Sequence, residues 1–195
     1  MDACKIADIS VTRLFNETSA VALSYGIFRR KELSSTPKNV VFVDLGYSKL
    51  SAFCASFTNE KCTVLAEAHA RNVGCRNIDW DLLTHFAGKF KAQFGCDPMK
   101  NERAKLRMLD AIEKMRKTLS ANSDANINIE CLMEDEDLFY NHTRVEMEAI
   151  IAPMLEVIKS TLVELNEILK QKNITISDVE IIGGGTRTPI VQKYI

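Results

Sequence analysis

The hydrophobic pattern along the chain changes period near residue 78. Upstream, apolar residues form continuous or alternating runs at 40–44, 49–57 and 62–68, which predict three strands in an antiparallel meander. The polar Thr58-Asn59-Glu60-Lys61 supplies the hairpin loop between the last two, and Asn72, Gly74 and Arg76 end the sheet. Downstream, Ile78, Leu82, Leu83, Phe86, Phe90 and Phe94 make one stripe at helical spacing, closed by Gly95 and the Asp97-Pro98 turn. A second helix is predicted over about 101–121 and a strand pair around 126–133. The acidic run Glu134-Asp135-Glu136-Asp137 interrupts that pair and reads as a solvated loop. Thr143 opens a helical stretch to about 171. An interior proline costs a helix ~3 kcal/mol, so Pro153 means either a kink or a junction of two helices. A strand at 178–182, a glycine turn and a short helix close the chain.

Ahead of the meander, residues 2–8 read as the end of a helix and the stretch near 9–14 as a short strand. Small residues dominate Asn16 to Gly26, which predicts a tightly packed helix with Asn16 as N-cap and Gly26 near its C-terminal end. Residues 30–39, rich in charge, Ser and Pro, read as a linker. No self-similarity occurs at solenoid periods. The order of sheet, mostly helical insert, long helix, strand and glycine turn predicts an α/β lobe with an inserted subdomain. The strands entering the two glycine turns are expected in one sheet.

Composition narrows the partners. With 195 residues, 46% hydrophobic and 26% charged, the chain can bury a real core in one large domain or two small lobes. Its 25 basic and 26 acidic residues leave a net charge of −1, so no electrostatic excess draws it to nucleic acid or to an anionic membrane. Cys4, Cys54, Cys62, Cys75, Cys96 and Cys131 contain no C-x-x-C pair, which points to free, mostly buried thiols in the cytoplasm, not a disulfide framework or zinc site. Sequons at Asn16, Asn141 and Asn173 are expected to be unglycosylated, since no signal peptide is apparent. No apolar run approaches the ~20 residues of a membrane span.

Chemistry concentrates at two places where an apolar run breaks into a glycine turn. These are Val40-Val41-Phe42-Val43-Asp44-Leu45-Gly46 and Val179-Glu180-Ile181-Ile182-Gly183-Gly184-Gly185-Thr186-Arg187. A buried strand delivering free backbone N–H groups in a glycine turn is how α/β proteins hold phosphate, though the same pattern also makes an ordinary βα turn. Asp44 is placed to hold a magnesium ion or a water. On the helix 101–121, Met108, Ile112, Met115 and Leu119 fall on one side and Glu113, Arg116, Lys117 and Ser120 on another. Such a face is either a solvated surface or a grip for a ribose, with its cations lying along a purine ring. His69, His85 and His142 share no metal-ligand spacing and read as surface or capping residues, and Trp80 as a packing or partner contact.

Taken together, Asn16 to Gly26, Val43-Asp44-Leu45-Gly46, Glu113 to Ser120 and Gly183-Gly184-Gly185-Thr186-Arg187-Thr188-Pro189 resemble, in order and over essentially the whole chain, the ATPase domain of the heat-shock protein 70 superfamily. Asn16-Glu17-Thr18, Gly74-Cys75-Arg76-Asn77-Ile78-Asp79 and Leu119-Ser120-Ala121-Asn122 are similar to its larger heat-shock protein 110 branch. The resemblance implies an actin-like ATPase (ribonuclease H-like) α/β lobe with a mostly helical insert. Residues 1–38 would be a connecting strand and helix from a first lobe plus linker, 39–73 with 147–195 a second-lobe α/β subdomain, and 74–146 the insert. It further implies that Asp44 and Glu17 approach Mg2+ and its waters, and that Gly46, Tyr47 and Ser48 form a phosphate turn. Glu113, Arg116, Lys117 and Ser120 would cradle the adenosine of ATP or ADP from one side, with Gly183, Gly184, Gly185 and Arg187 closing on it from the other.

Ordinary members carry Asp-Leu-Gly-Gly-Gly-Thr where this chain has Asp44-Leu45-Gly46-Tyr47-Ser48-Lys49, so side chains crowd the turn and binding is favoured over hydrolysis. Only one of the two phosphate turns that such an ATPase uses occurs here. The expectation is a piece of a longer chaperone that does not hydrolyse ATP alone. The implied role is a nucleotide exchange factor for a heat-shock protein 70 partner, and a holdase for unfolded clients bound by regions outside this chain. The alternatives are an ordinary heat-shock protein 70 ATPase coupling hydrolysis to substrate release, and a sugar kinase or actin-like protein on the same scaffold.

Overall fold

The apolar run at 40–45 becomes the inner part of β1 (Lys38–Leu45), the strand around which a computed structural model describing residues 1–195 is organised. β1 pairs antiparallel with β2 (Lys49–Phe57), and β2 antiparallel with β3 (Cys62–Arg71), as the meander pattern predicts. On its other edge β1 pairs in parallel with β6 (Asp178–Ile182), which gives the order β3-β2-β1-β6 and puts both glycine-turn strands in one sheet. A parallel neighbour needs a crossover, and the whole chain between β3 and β6 serves as one.

Both faces of β1 are covered, which is why Val40 to Val43 run apolar without a break. Val40 and Phe42 face one side, where Phe53, Phe57 and Ala55 pack with Ala22 and Tyr25 of α2 (Glu17–Phe28). Phe42 stacks on Phe53 with ring centroids 4.8 Å apart, and Tyr25 meets Phe42 edge-on at 5.3 Å. Gly26 lies against the Phe57 ring, 3.4 Å from where a Cβ would stand, and α2 continues past it to Phe28. Val41, Val43 and Leu45 face the larger core, shared with α3 (Cys75–Phe94), α4 (Glu102–Leu119) and α6 (Ala152–Gln171).

Several local expectations hold in detail. Gly95 ends α3 in the left-handed conformation, and Asp97 accepts a hydrogen bond from the Met99 N–H at 3.1 Å. Thr143 caps α5 (Arg144–Ile150) in a capping box with Glu146. Pro153 marks a junction: α5 stops before Ile151 and Pro153 sits in the first turn of α6, where no intrahelical N–H is missed. After β6, a 3₁₀ turn at Gly184–Arg187 leads into α7 (Pro189–Tyr194).

Four expectations are corrected. Residues 9–14 form no strand; α1 (Asp2–Ile6) leads into an irregular stretch where Ile9, Leu14 and Phe15 are exposed, because no neighbouring backbone pairs with it. The acidic run is not wholly a loop. β4 (Asp124–Met133) and β5 (Glu136–Thr143) join through a two-residue turn at Glu134 and Asp135, both with positive φ, while Glu136 and Asp137 enter β5. There Asp137 accepts the Cys131 N–H at 2.7 Å. His142 is buried, since it continues the inward alternation of Leu138 and Tyr140 on β5 and packs on Phe86 at 5.1 Å. Only Cys54 and Cys75 are buried among the six cysteines, with Cys62 and Cys131 exposed at a strand start and an irregular strand position. No helix is long and apolar enough to cross a membrane.

This packing sets two expectations for stability. Phe53→Ala empties a fully buried site between α2 and the sheet and is expected to cost about 3–5 kcal/mol in urea denaturation. A loss below about 1 kcal/mol would mean that α2 does not cover this face. Burial also holds His85 and His142 below their ordinary 6.5, with Lys89 pressing both lower and Glu146 opposing. The unfolded chain then binds more protons than the folded one as pH falls through about 6.5, so stability is full above that pH and declines below it. The urea midpoint should drop between about pH 7 and about pH 5, and His142→Leu should flatten that slope; an unchanged slope would place the acid sensitivity elsewhere.

Candidate functional site

Asp44 of β1 stands opposite Ile182 of β6 in parallel register, so both strands release their glycine turns at the same edge of the sheet. In doubly wound sheets this carboxyl edge is where ligands bind. Two glycines allow the turns to close on each other. A Cβ on Gly183, whose φ is +86°, would lie 2.4 Å from the Leu45 carbonyl oxygen and 2.6 Å from Asp44 Oδ1. One on Gly185 would lie 2.6 Å from Leu45 Cγ. Gly184, between them, has open space where its side chain would be.

The first turn is fastened from below. Gly46 N–H donates to the Lys49 carbonyl at 3.1 Å, while the Gly46 and Tyr47 carbonyls accept from the Cys75 and Arg76 N–H groups at 3.1 and 2.8 Å. Two orphan donors at the start of α3 are thereby satisfied. Gly74 permits this approach, because a Cβ there would stand 2.5 Å from the Tyr47 carbonyl carbon. The N–H groups of Tyr47 and Ser48 donate to no protein acceptor. A turn with its carbonyls tied down and two N–H groups without a protein acceptor has donors it can offer to an anion.

Opposite the turns stands α4. Its Asn101 cap accepts the Ala104 N–H at 3.1 Å, and Met108, Ile112, Met115 and Leu119 are buried in the core, which presents Glu113, Lys117 and Ser120 outward. Lys117 pairs with Glu113 at 2.6 Å, and this hydrogen bond holds the Glu113 carboxyl below its usual range. Ser120 Oγ donates to the Lys117 carbonyl at 2.6 Å. Arg116 differs from these. It is buried and lies along Asp79 of α3, its Nε 2.6 Å from Oδ1 and its Nη2 3.2 Å from Oδ2. Burial pushes the Asp79 carboxyl up, against the pull of the Arg116 guanidinium.

These elements enclose a cavity of about 450 Å³, within the size range of small-molecule sites. Of the residues singled out from sequence, Gly46, Tyr47, Glu113, Arg116, Lys117, Ser120, Gly184 and Arg187 line it. Ser48 lies outside the lining, its backbone nitrogen 2.7 Å from where a Gly74 Cβ would stand, and Gly183 and Gly185 serve behind the second turn as spacers against Leu45. Asp44 and Glu17 lie outside the lining, and Lys49 forms an ion pair with Glu17. Burial raises the Asp44 carboxyl, Glu17 adds to that rise and Lys49 opposes it.

The family model for Hsp70 protein matches residues 1–195, the whole chain. The chain belongs to the Hsp70 protein family. The fold is accordingly that family's actin-like ATPase fold, and the family is one of ATP-binding chaperones. The chain is 37% identical over 196 residues to the 97 kDa heat shock protein of Mesocentrotus franciscanus, covering 99% of this chain and 22% of that protein. It is 38% identical over 198 residues to Heat shock 70 kDa protein 14 of Arabidopsis thaliana, covering 100% of this chain and 24% of the relative. To Heat shock 70 kDa protein 4L of Homo sapiens it is 37% identical, again covering 100% and 24%. It thus spans about a quarter of the length of these relatives.

Within this Hsp70-family site, sequence reasoning missed Asp79, Thr188 and Cys75. Thr188 and Cys75 line the cavity and Asp79 sets the orientation of Arg116. Asp79 had a signal, since it falls in an i, i+4 row between Cys75 and Leu83 on the buried side of α3, where a carboxylate requires a partner. Asp79→Ala is expected to destabilise the protein by about 3–5 kcal/mol by leaving Arg116 buried and unpaired. The double variant Asp79→Leu with Arg116→Met should recover most of that in a denaturation cycle. Equal losses for both would show that packing, not charge pairing, sets the cost.

Proposed function

We propose that this chain is the nucleotide-binding part of a heat-shock protein 110-type chaperone, gripping the adenosine of ATP or ADP on α4 and its phosphates at the first glycine turn. The observation that carries this reading is the cavity itself, which joins the Gly46-Tyr47 turn, the Glu113 to Ser120 face and the Gly184–Arg187 turn in one space. The residues fit a nucleotide. The free N–H of Tyr47, with that of Ser48 beside it in the turn, suits phosphate oxygens, and Glu113 and Ser120 of the lining suit ribose hydroxyls. Lys117 and Arg187 stand on opposite walls with no core packing to hold them away, so their cationic groups can flank a purine ring. Arg116, tied to Asp79, offers a fixed edge between them.

Magnesium fits less well, because one of the two expected carboxylates, Glu17, is taken up by Lys49. No step is therefore assigned to a metal. Bound nucleotide would stabilise one arrangement of the chaperone by mass action, with hydrolysis secondary because Tyr47 occupies the turn. The working role is nucleotide exchange on a heat-shock protein 70 partner and holding of unfolded clients by regions beyond this chain, in the cytoplasm. Similarity to a heat shock protein of 97 kDa, larger than the 70 kDa members, supports this branch.

Titration calorimetry tests the adenosine grip. Glu113→Ala and Arg187→Ala should each weaken ADP binding by about tenfold with unchanged thermal unfolding, and adenosine should compete. Exchange is read separately as accelerated release of labelled ADP from a heat-shock protein 70 partner by the parent protein. Wild-type affinity in both variants would move the nucleotide away from this cavity.

A further inference from the structure

Beside the first glycine turn lies a charge cluster that the adenosine grip does not use. Glu17 comes from the first turn of α2 and Asp44 from the end of β1, and burial, with the Glu17 charge added to it, makes the Asp44 carboxyl harder to ionise. Two like charges at the entrance of a phosphate turn oppose a polyphosphate, and a divalent cation is the ordinary remedy. Here a side chain stands in that place. Lys49, the first residue of β2, sets its ammonium on the Glu17 carboxylate, and its charge also acts on Asp44.

The position of Lys49 is fixed by the turn itself. Its carbonyl accepts the Gly46 N–H at 3.1 Å, so its stem leaves from the same four residues whose Tyr47 and Ser48 N–H groups are free. Lys49 and Glu17 side chains are each 50% exposed, so the ammonium is reachable by an incoming anion. Its three donors on a flexible stem can keep Glu17 and reach a phosphate oxygen at the same time. Mg2+ keeps most of its waters and is held through one or two carboxylates, and here the Lys49 ammonium already occupies one of the pair, leaving Asp44 as the carboxylate without an ion-pair partner.

We propose that Lys49 is a resident cation that replaces the divalent metal at this turn, so that phosphate groups bind here with little dependence on Mg2+. The inference rests on the nucleotide reading of the adjoining cavity. It assigns Lys49 a positioning and charge-neutralising role toward phosphate, with Glu17 and Asp44 as the groups it neutralises.

The test is calorimetric binding of ADP to the protein in excess Mg2+ and in EDTA, for the wild type, Lys49→Thr and Lys49→Arg. Wild-type affinity should change by less than about threefold between the two conditions. Lys49→Thr should weaken by about tenfold or more in EDTA and recover most of this in Mg2+, and Lys49→Arg should follow the wild type. Mg2+ titrated alone, without nucleotide, should give no heat with the wild type and measurable uptake by Lys49→Thr, whose freed carboxylates accept it. If Lys49→Thr does not fold by circular dichroism, Lys49→Met keeps the stem without the charge. Strong Mg2+ dependence in the wild type, unchanged in Lys49→Thr, overturns the proposal and leaves the nucleotide site standing. Absence of ADP binding in every variant and condition overturns both.

Discussion

The contact on which the site depends is the approach of β1 and β6 at their carboxyl ends, where Leu45 meets Gly183 and Gly185 with no room for a side chain between them. Parallel pairing with Asp44 opposite Ile182 aligns the strands, and the missing Cβ atoms let the turns that follow nest together. A Cβ at either glycine would push the second turn outward and separate the two walls of the cavity. The two glycine-turn walls of this cavity are therefore one construction, set by backbone packing before any side chain is considered.

The opposite wall is fixed by chemistry of another kind. α3 and α4 belong to the helical stretch after the meander, packed through a shared apolar core, and at the cavity wall they are tied by the bidentate Asp79–Arg116 pair. A buried, doubly hydrogen-bonded ion pair is costly to break from one side, whereas the exposed Glu113–Lys117 pair contributes little to stability. Division of labour follows. Arg116 holds the wall in place, and Glu113, Lys117 and Ser120 remain available to a ligand. The same helix α3 also closes the first turn from beneath through the Cys75 and Arg76 N–H groups, so the cavity is shaped mostly before a ligand arrives.

The face of the sheet away from this site has a different character. α2 seals it with Ala22 and Tyr25 against a cluster of phenylalanines, yet its outer side leaves Leu23, Ile27 and Phe28 exposed. The low contrast between its faces explains why the sequence reads it only as a small-residue helix. Small residues let it lie close to the strands, and nothing in the local pattern distinguishes the side that packs from the side that does not.

Most of the architecture was legible in the residues because it follows from local rules. Strand and helix periods, the Gly95 stop, the Thr143 cap and the position of Pro153 each depend on neighbours within a turn or two, and the glycine turns announce themselves through backbone freedom. The outward positions of Glu113, Lys117 and Ser120 on α4 were likewise readable from spacing, whereas Arg116, assigned to the same face, is buried against Asp79. What the tertiary structure decided are pairings between distant residues. Residues 9–14 are apolar enough for a strand and have no partner, and His142 looks like a surface residue until Phe86 covers it. Arg116 turns to a carboxylate 37 residues away, and Lys49 reaches one 32 residues away. Periodicity reports which side of an element is buried but carries no information about which charge, on which other element, will be found there, because that is settled only when the elements pack.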